Sequence, residues 1–599
     1  MRVLLPLLVS LIVANTAYCS SGITLARDGK PLARIVAPQS RHPVVNQAIS
    51  DLHLYLGKVT GADFAKSRGS AEIRILEQLP PDAPEALRNA REGYWIDVRG
   101  KTIRIVGGSP IGAAYGVYRF LEKYVGVRWF LPAPDGEYVP KTPNLVIPPV
   151  SEFSKPAFKM RWVGGSLWGL RNGSNRLDVG EMLGPNGKLV SAGYRLEPGI
   201  YHTQESFLPM ARYFNDHPEY YALVKRERKE GGHWTKLCTS NPEVIAEVAR
   251  NMARYLDEHS GVQVLSLSPS DGRNFCECAS CVAQDEPDVT DRTQVMSRRM
   301  VLFYNAVATE FRRTHPEARL AVGAYHAYAW PPKDESLRLA PETYAILCHY
   351  VPACLAHSVN DPGCPANRRY NTVLKDWLRR SSGVYFYEYY LKGNWLELPW
   401  PIVHTIAADI PYYQRMGIEG LYTQFSERSA YTLGLNYYIA AKLLWNPRAN
   451  VRGLVDEFYE KYFAESAGPM REYFELMERR MSTVRDDIPG DAWTNATKVF
   501  DSALLDQLQA KLDGASRLAG TETTRQRVER YRLHLGYTRR LVGLLALKDR
   551  DKAAAYPLLR EFIQDMGNPP AELEGIVSGP ACVHFLTPRV ASIARYAER

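Results

Sequence analysis

The stretch Val262 to Cys281, VQVLSLSPSDGRNFCECASC, decides how the middle of this chain is read. An apolar strand over Val262 to Ser268 runs out into Ser-Pro-Ser-Asp-Gly, and three cysteines follow closely. An acid just past a buried strand, in a glycine-containing loop, sits where an α/β barrel keeps its chemistry. Asp271 is therefore the first catalytic candidate.

Outward from that stretch, strand and helix patterns alternate from Phe158 onward, as in parallel βαβ units. Strands are expected near Lys159 to Val163, Gly199 to His202, Trp234 to Cys238, Val262 to Ser268, Leu320 to Tyr325, Tyr344 to Tyr350, Val384 to Tyr390 and Gly420 to Phe425. Between them, Asn241 followed by Pro242 reads as a cap with proline at the first helical position, and Ile245, Val248, Met252 and Leu256 supply a buried stripe. Asp291 precedes a second helix with Met296, Met300, Phe303, Val307 and Phe311 on one face. Eight strands with interleaved helices predict an α/β fold, a central TIM (β/α)8 barrel over residues 151–449.

Residues 22–150 read as an N-terminal α+β domain. Leu32 to Ala37, Ile73 to Leu76, Tyr94 to Val98 and Thr102 to Val106 are short strands, the last two a hairpin across Arg99-Gly100-Lys101. Val45, Ile49, Leu52 and Leu56 recur at helical spacing, as do Ala113, Val117, Leu121 and Tyr124. The prolines at 132, 134, 140, 143, 148 and 149 mark a linker. From residue 450 to 599 the strand signal disappears and charged helical patterns predict a helical C-terminal domain.

The bulk properties narrow the function. A chain of 599 residues exceeds one ordinary core, and 45% hydrophobic with 23% charged residues is a folded globular composition. The net charge of +9 is spread without a basic block, which argues against nucleic-acid binding. Tyrosines outnumber phenylalanines 36 to 18, and a ring with a hydrogen-bonding tip suits sugars. Residues 1–21 carry Arg2, the apolar run Val3 to Ala14 and small residues before Ser21, the pattern of a signal peptide. No later segment approaches the ~20 apolar residues of a membrane span. Export to a secreted or periplasmic location is expected, with no membrane span. The remaining eight cysteines are then disulfide candidates.

The segment GSPIGAAYGVYRFLEKYVGVRWFLP, Gly108 to Pro132, resembles the end of the N-terminal domain shared by family 67 alpha-glucuronidases and family 20 beta-hexosaminidases. The centre resembles domain-of-unknown-function family 4838, which is glycoside hydrolase-like, through LCTSNPEV (Leu237 to Val244), SPSDGRNFCECASC (Ser268 to Cys281) and the YEYY and GLYTQF segments. Together these cover roughly Ile23 to Glu465. Family 20 enzymes end the fourth barrel strand in Gly-Gly-Asp-Glu, whereas this chain has Ser270-Asp271-Gly272. The adjacent acidic pair is missing, which speaks against substrate-assisted hexosaminidase chemistry.

Glycosidic cleavage generally needs two carboxyl groups. Barrel glycosidases of several families place the acid on the fourth strand and the second carboxylate on the seventh, and the strand count puts Asp271 and Glu388 there. Asp271 is then the general acid and Glu388 the nucleophile or base. The competing reading is a loop cap for Asp271 and a salt bridge for Glu388. Glu427 is a reserve carboxylate, and Gln424, which cannot titrate, is placed to hydrogen-bond sugar hydroxyls. His202, Tyr325, His326 and His349 fall near strand ends as substrate-binding candidates, joined by Tyr390, Asn394 and Trp395. Trp168, Trp330 and Trp400 lie on expected loops where an indole could stack on a sugar. Cys238, Cys276, Cys278 and Cys281 can meet either as a structural zinc site or as disulfides. Cys354 and Cys364 are expected to form a separate disulfide.

The sequence thus describes an exported glycoside hydrolase-like protein acting on a poly- or oligosaccharide, with uronic-acid or amino-sugar units among the candidates. The alternative is a non-catalytic glycan-binding protein on the same scaffold. No cofactor is required for catalysis in this reading, since no phosphate-cradling glycine motif is present. A catalytic metal held by the cysteines is disfavoured, because catalytic zinc keeps an open position.

Overall fold

The computed structural model describes residues 22–38, 40, 42–176, 194–229, 236–291, 293–350, 353–484 and 487–596, apart from the side chain of Glu427. The expected signal peptide lies outside these residues. The chain divides into two compact units, one of residues up to 126 with Val139–Ser154, the other of Val127–Tyr138 with Lys155–Arg599.

The first unit is α+β. A five-stranded sheet runs in the order Val150–Ser154, Tyr94–Arg99, Thr102–Gly107, Ala71–Leu76, Ala33–Val36. The hairpin turns at Gly100, whose φ of 59° lies in the left-handed region that glycine enters without steric cost. The helix Pro43–Thr60 buries Val45, Leu52 and Leu56, as their spacing predicts. A second helix, Pro110–Phe120, continues into a π-helical turn over Leu121–Val125. The proline-rich stretch is not a bare linker, since Glu137–Tyr138, Leu145–Ile147 and Val150–Ser154 within or beside it are paired strands.

The second unit is built on a curled, seven-stranded parallel sheet. Its strands are β1 (Met160–Trp162), β2 (Leu196–Glu197), β3 (Val264–Leu267), β4 (Leu320–Ala324), β5 (Thr343–Cys348), β6 (Val384–Glu388) and β7 (Gly420–Thr423). β2 to β7 pair in chain order and β1 pairs with β7. Among the described residues β1 and β2 do not pair, so these residues show a curled half-barrel of seven parallel strands and not the closed eight-stranded barrel expected from the sequence.

Two strand expectations fail for identifiable reasons. Residues 230–235 lie outside the description, and the rest of the Trp234 to Cys238 segment turns its backbone to a loop. Ala222 N–H donates to Lys236 O (2.9 Å) and Cys238 N–H to Tyr220 O (2.8 Å), an isolated antiparallel bridge between Tyr221 and Leu237 outside the parallel sheet. Gly199 to His202 is a loop after β2: Pro198 lacks the ladder donor, and His202 sits at φ 56°. Among the described strands, Asp271 follows the third and Glu388 ends the sixth, which departs from the fourth-and-seventh count that paired them.

The helices Pro242–Glu258 and Ser297–Phe311 lie where expected, and Asn241 caps the first by accepting from Glu243 N–H at 2.9 Å. From Val451 onward the chain is helical, and these helices belong to the same compact unit as the sheet. No helix among the described residues is long and apolar enough to cross a membrane.

β1 and β7 approach so closely that a Cβ on Gly420 would stand 2.4 Å from Met160 Cβ and 2.5 Å from its carbonyl oxygen. Gly420→Ala should therefore destabilise the protein by roughly 1–3 kcal/mol, the usual cost of overpacking. Denaturant unfolding measures this, and an unchanged midpoint would contradict the close pairing.

Candidate functional site

A cavity of about 480 Å³ opens at the carboxyl ends of the parallel strands. That is the size of a small-ligand pocket, at the end of the sheet where α/β folds place their sites. Tyr201, Tyr325, Tyr350, Tyr387, Tyr389 and Tyr422 line it. Their rings form a collar with centroids 4.6 Å apart for Tyr387 and Tyr422, 5.7 Å for Tyr201 and Tyr387, and 5.5 Å for Tyr350 and Tyr389.

Asp271 enters this cavity from the loop after β3. Gly272 follows at φ 91°, a conformation that lets the loop reverse immediately after the acid. His202 Nε2 stands 3.3 Å from Asp271 Oδ1. The hydrogen bond from His202, with the positive charge of Lys236 beyond it, outweighs burial and holds the Asp271 carboxyl below its ordinary range. Asp271 is ionised at neutral pH, which suits an anion rather than a proton donor.

Buried hydrogen bonds fix the two loops that carry this pair. Thr203 Oγ1 accepts from Ser268 N–H (2.8 Å) and donates to Ser266 O (3.0 Å), while Thr203 N–H donates to Ser268 O (2.9 Å). From the other side, the ammonium of Lys236 donates to Asp271 O at 2.6 Å and to the carbonyl of Ser270. Burial lowers the Lys236 pKa to about 8 against the opposing pull of Asp271.

Glu388 does not join Asp271. Side chains alternate along a strand, so Tyr385 and Tyr387 of β6 face the inner side with Tyr194, Tyr201 and Tyr422. Phe386 and Glu388 face the helices instead, with Phe386 stacked on Tyr413 at 4.3 Å. Glu388 is 2% exposed and is held by His349 Nδ1 at 3.0 Å and by the Tyr413 hydroxyl. It forms part of a buried pair behind the sheet. His349, expected to bind glycan, is its partner and does not line the cavity either.

Of the other candidates, His202, Tyr325, Asn394 and Gln424 line the cavity. Gln424 Nε2 donates to Tyr387 OH at 3.3 Å. His326 stands beside it, its ring 5.2 Å from that of Tyr325, with its pKa lowered by burial and by Arg273. Tyr390, Trp395 and Trp400 are buried core residues, the two indoles 4.8 Å apart. Trp168 is stacked on Phe425, and Trp330 lies under the Arg369 guanidinium. The side chain of Glu427 lies outside the described residues. Cys238, Cys276, Cys278 and Cys281 converge, whereas Cys354 and Cys364 are free thiols beside His357 rather than a disulfide.

Sequence reasoning missed Lys392, Phe585 and most of the tyrosine collar. Strand alternation in Val384 to Tyr390 would have put Tyr387 and Tyr389 on the face opposite Glu388. Phe585 reaches the cavity from the C-terminal helix Gly579–Ala591, which nothing local announces. Lys392 is 6% exposed, its ammonium 3.5 Å from the Tyr350 ring centroid and 4.7 Å from that of Tyr389. Burial lowers its pKa to about 7, against the pull of Asp491.

The model of the family described as Domain of unknown function (DUF4838) matches residues 131–475. Among solved structures, a family GH115 4-O-methyl-alpha-glucuronidase with specificity for decorated arabinogalactans is similar with a TM-score of 0.55 at 12% identity, over 93% of this chain and 78% of that one. A GH138 enzyme targeting pectin rhamnogalacturonan II matches with a TM-score of 0.35 at 11% identity, over 94% of this chain and 80% of that one. No curated protein matches the sequence. The likeness to the GH115 enzyme is one of fold.

The buried pair behind the sheet gives a pH signature. Burial disfavours the charged His349, but Glu388 overcomes it and raises the histidine's pKa above 6.5. Asp409 beside them is pushed up to about 7, by burial first and then by Glu388. Both groups hold a proton in the folded state that the unfolded chain releases, so stability falls as pH rises from about 4 through 7 and beyond. Glu388→Gln should cost about 3 kcal/mol at pH 6 and flatten that slope, measured by chemical unfolding across pH. An unaltered pH slope would show that the pair does not couple.

Proposed function

The chain belongs to the DUF4838 family, and from that premise we propose that it binds a saccharide in the tyrosine-lined cavity and hydrolyses a glycosidic bond there. The observation that carries this reading is the ionised Asp271, held by His202 and facing a collar of aromatic rings at the mouth of a glycosidase-like sheet. Tyrosine faces stack on sugar rings while their hydroxyls bond sugar hydroxyls. Asp271 supplies the negative charge that an oxocarbenium-like transition state needs, as nucleophile, base or electrostatic partner. This role replaces the general-acid role expected from the sequence. The apolar leader at Val3 to Ala14 supports an exported protein.

Lys392 favours an acidic sugar over an amino sugar. Its ammonium lines the cavity among tyrosines, where a sugar carboxylate would complete a charge-assisted hydrogen bond. Because its pKa is about 7, the cation is present below that pH and lost above it. Affinity for uronic-acid oligosaccharides should therefore fall as pH rises from about 6 to 8. Titration calorimetry reads this, and Lys392→Met should remove the dependence; equal affinity at both pH values would exclude the role.

A second reading, a glycan-binding protein without turnover, is favoured by one observation. Asp271 is the single carboxylate among the described residues that line the cavity. Screening the purified protein against a glycan panel with product analysis separates the two. Asp271→Asn should lower turnover at least about a hundredfold while leaving binding within a few-fold. Undiminished turnover in that variant would end the hydrolase assignment of Asp271, and binding without turnover in the wild type would establish the second reading.

A further inference from the structure

Cys238 comes from the loop that follows Lys236, and Cys276, Cys278 and Cys281 from the segment that follows Asp271. Their four sulfurs lie within 4.8 Å of one another, and Cys238 Sγ is 3.8 Å from both Cys278 Sγ and Cys281 Sγ. Four sulfurs at 2.3 Å from one central zinc ion occupy the corners of a tetrahedron whose edge is about 3.8 Å. The spacing is that of thiolates around a single ion. It is too tight for an iron–sulfur cluster, in which ligating sulfurs stand on different metal atoms.

The surroundings suit anionic sulfur. Leu223 N–H donates to Cys276 Sγ at 3.3 Å, and Ser240 Oγ is 3.1 Å from Cys281 Sγ and 3.8 Å from Cys278 Sγ. Such donors orient ligating groups and spread their charge. Arg299, 1% exposed, fixes the backbone of the cluster by donating to Cys276 O at 2.9 Å while paired with Asp285 at 2.6 Å. Cys238, Cys276 and Cys281 are buried, and Ala222, Leu223 and Val224 close over them.

We propose that Cys238, Cys276, Cys278 and Cys281 bind one zinc ion as four thiolates, a closed structural site that ties the Lys236 loop to the Asp271 loop. Each thiol releases its proton to solvent on binding, and no electron transfer is involved. All four positions of the tetrahedron are filled by protein, so the ion has no open site for substrate or water and acts by holding the chain. Lys236 lies two residues before one ligand, and Asp271 five before another, so the ion fixes the separation across which Lys236 grips the Asp271 carbonyl. The site also accounts for free thiols in a chain expected to be exported, since metal-bound thiolates are withheld from disulfide exchange. The proposal stands on the geometry of the cluster alone and does not depend on the glycosidase reading.

Elemental analysis of the full-length protein, purified from zinc-supplemented medium, tests it. The wild type should carry zinc, and the double variant Cys276→Ser, Cys281→Ser should carry about one zinc fewer per chain, with a lower thermal midpoint. Should that variant fail to fold, cobalt(II) exchanged into the wild type should give the intense visible bands and sulfur-to-metal charge transfer of a tetrahedral tetrathiolate. The four cysteines should alkylate only after chelation under denaturing conditions. Three results would overturn the site: the four cysteines found as disulfides by non-reducing peptide mapping, bound iron in place of zinc, or zinc undiminished in the double variant. The last would put the metal elsewhere, at Cys354, His357 and Cys364 for example, which also converge.

Discussion

Both faces of the parallel sheet in the second unit are buried, and that constraint sorts every side chain on it. A residue on β5 or β6 either faces the inner side and the cavity, or turns outward against helices. On β6 the inner set is Tyr385 and Tyr387, and the outer set is Phe386 and Glu388. At the end of β5, Cys348 lines the cavity while His349 points to the helices. A carboxylate on the outer face cannot stay charged without partners, because desolvation would be prohibitive. Glu388 therefore meets His349 and the Tyr413 hydroxyl, and Asp409 lies close enough for its own titration to respond. The feature that makes Glu388 conspicuous in the sequence, an acid within an aromatic strand, is resolved by structural pairing.

The same sorting frees the inner face for chemistry. With the strands supplying tyrosines, the charged groups of the cavity come from loops, and loops need separate restraint. Thr203 and Ser268 exchange hydrogen bonds that lock the His202 and Asp271 loops together, and Lys236 gathers the carbonyls of Ser270 and Asp271. His202 and His326 both adopt positive φ, at 56° and 53°, a conformation uncommon for residues with a Cβ. Such strain persists only where surrounding contacts over-determine it, and here it flanks Asp271, the single carboxylate among the described residues that line the cavity. The cysteine cluster brings the segments after Lys236 and after Asp271 together, where the proposed zinc would add a further tie.

The GH115-like fold and the cavity bear on function in different ways. A likeness at 12% identity establishes how the chain is folded and leaves the chemistry to the site. In this site a single described carboxylate, kept anionic, stands among tyrosines with a lysine whose charge changes near neutrality. Under the proposed function, that arrangement would stabilise positive charge at one point and meet negative charge at another, as binding and cleavage of an acidic glycan require.

The alternation of strands and helices, the cap at Asn241, the hairpin turn at Gly100 and the helical C-terminal third were legible in the sequence, because they rest on local periodicity and backbone preference. Asp271 was legible for the same reason, as an acid in a glycine turn after an apolar strand. The number of strands was not: whether a short apolar run joins a sheet depends on which backbone groups reach it, and Lys236 to Cys238 bridges to Tyr220 to Ala222 instead. Nor could the partner of Asp271 be read from spacing. A strand presents opposite faces to cavity and helix, so one residue of register separates Tyr387 in the site from Glu388 behind it, and only the packed sheet decides which face is which.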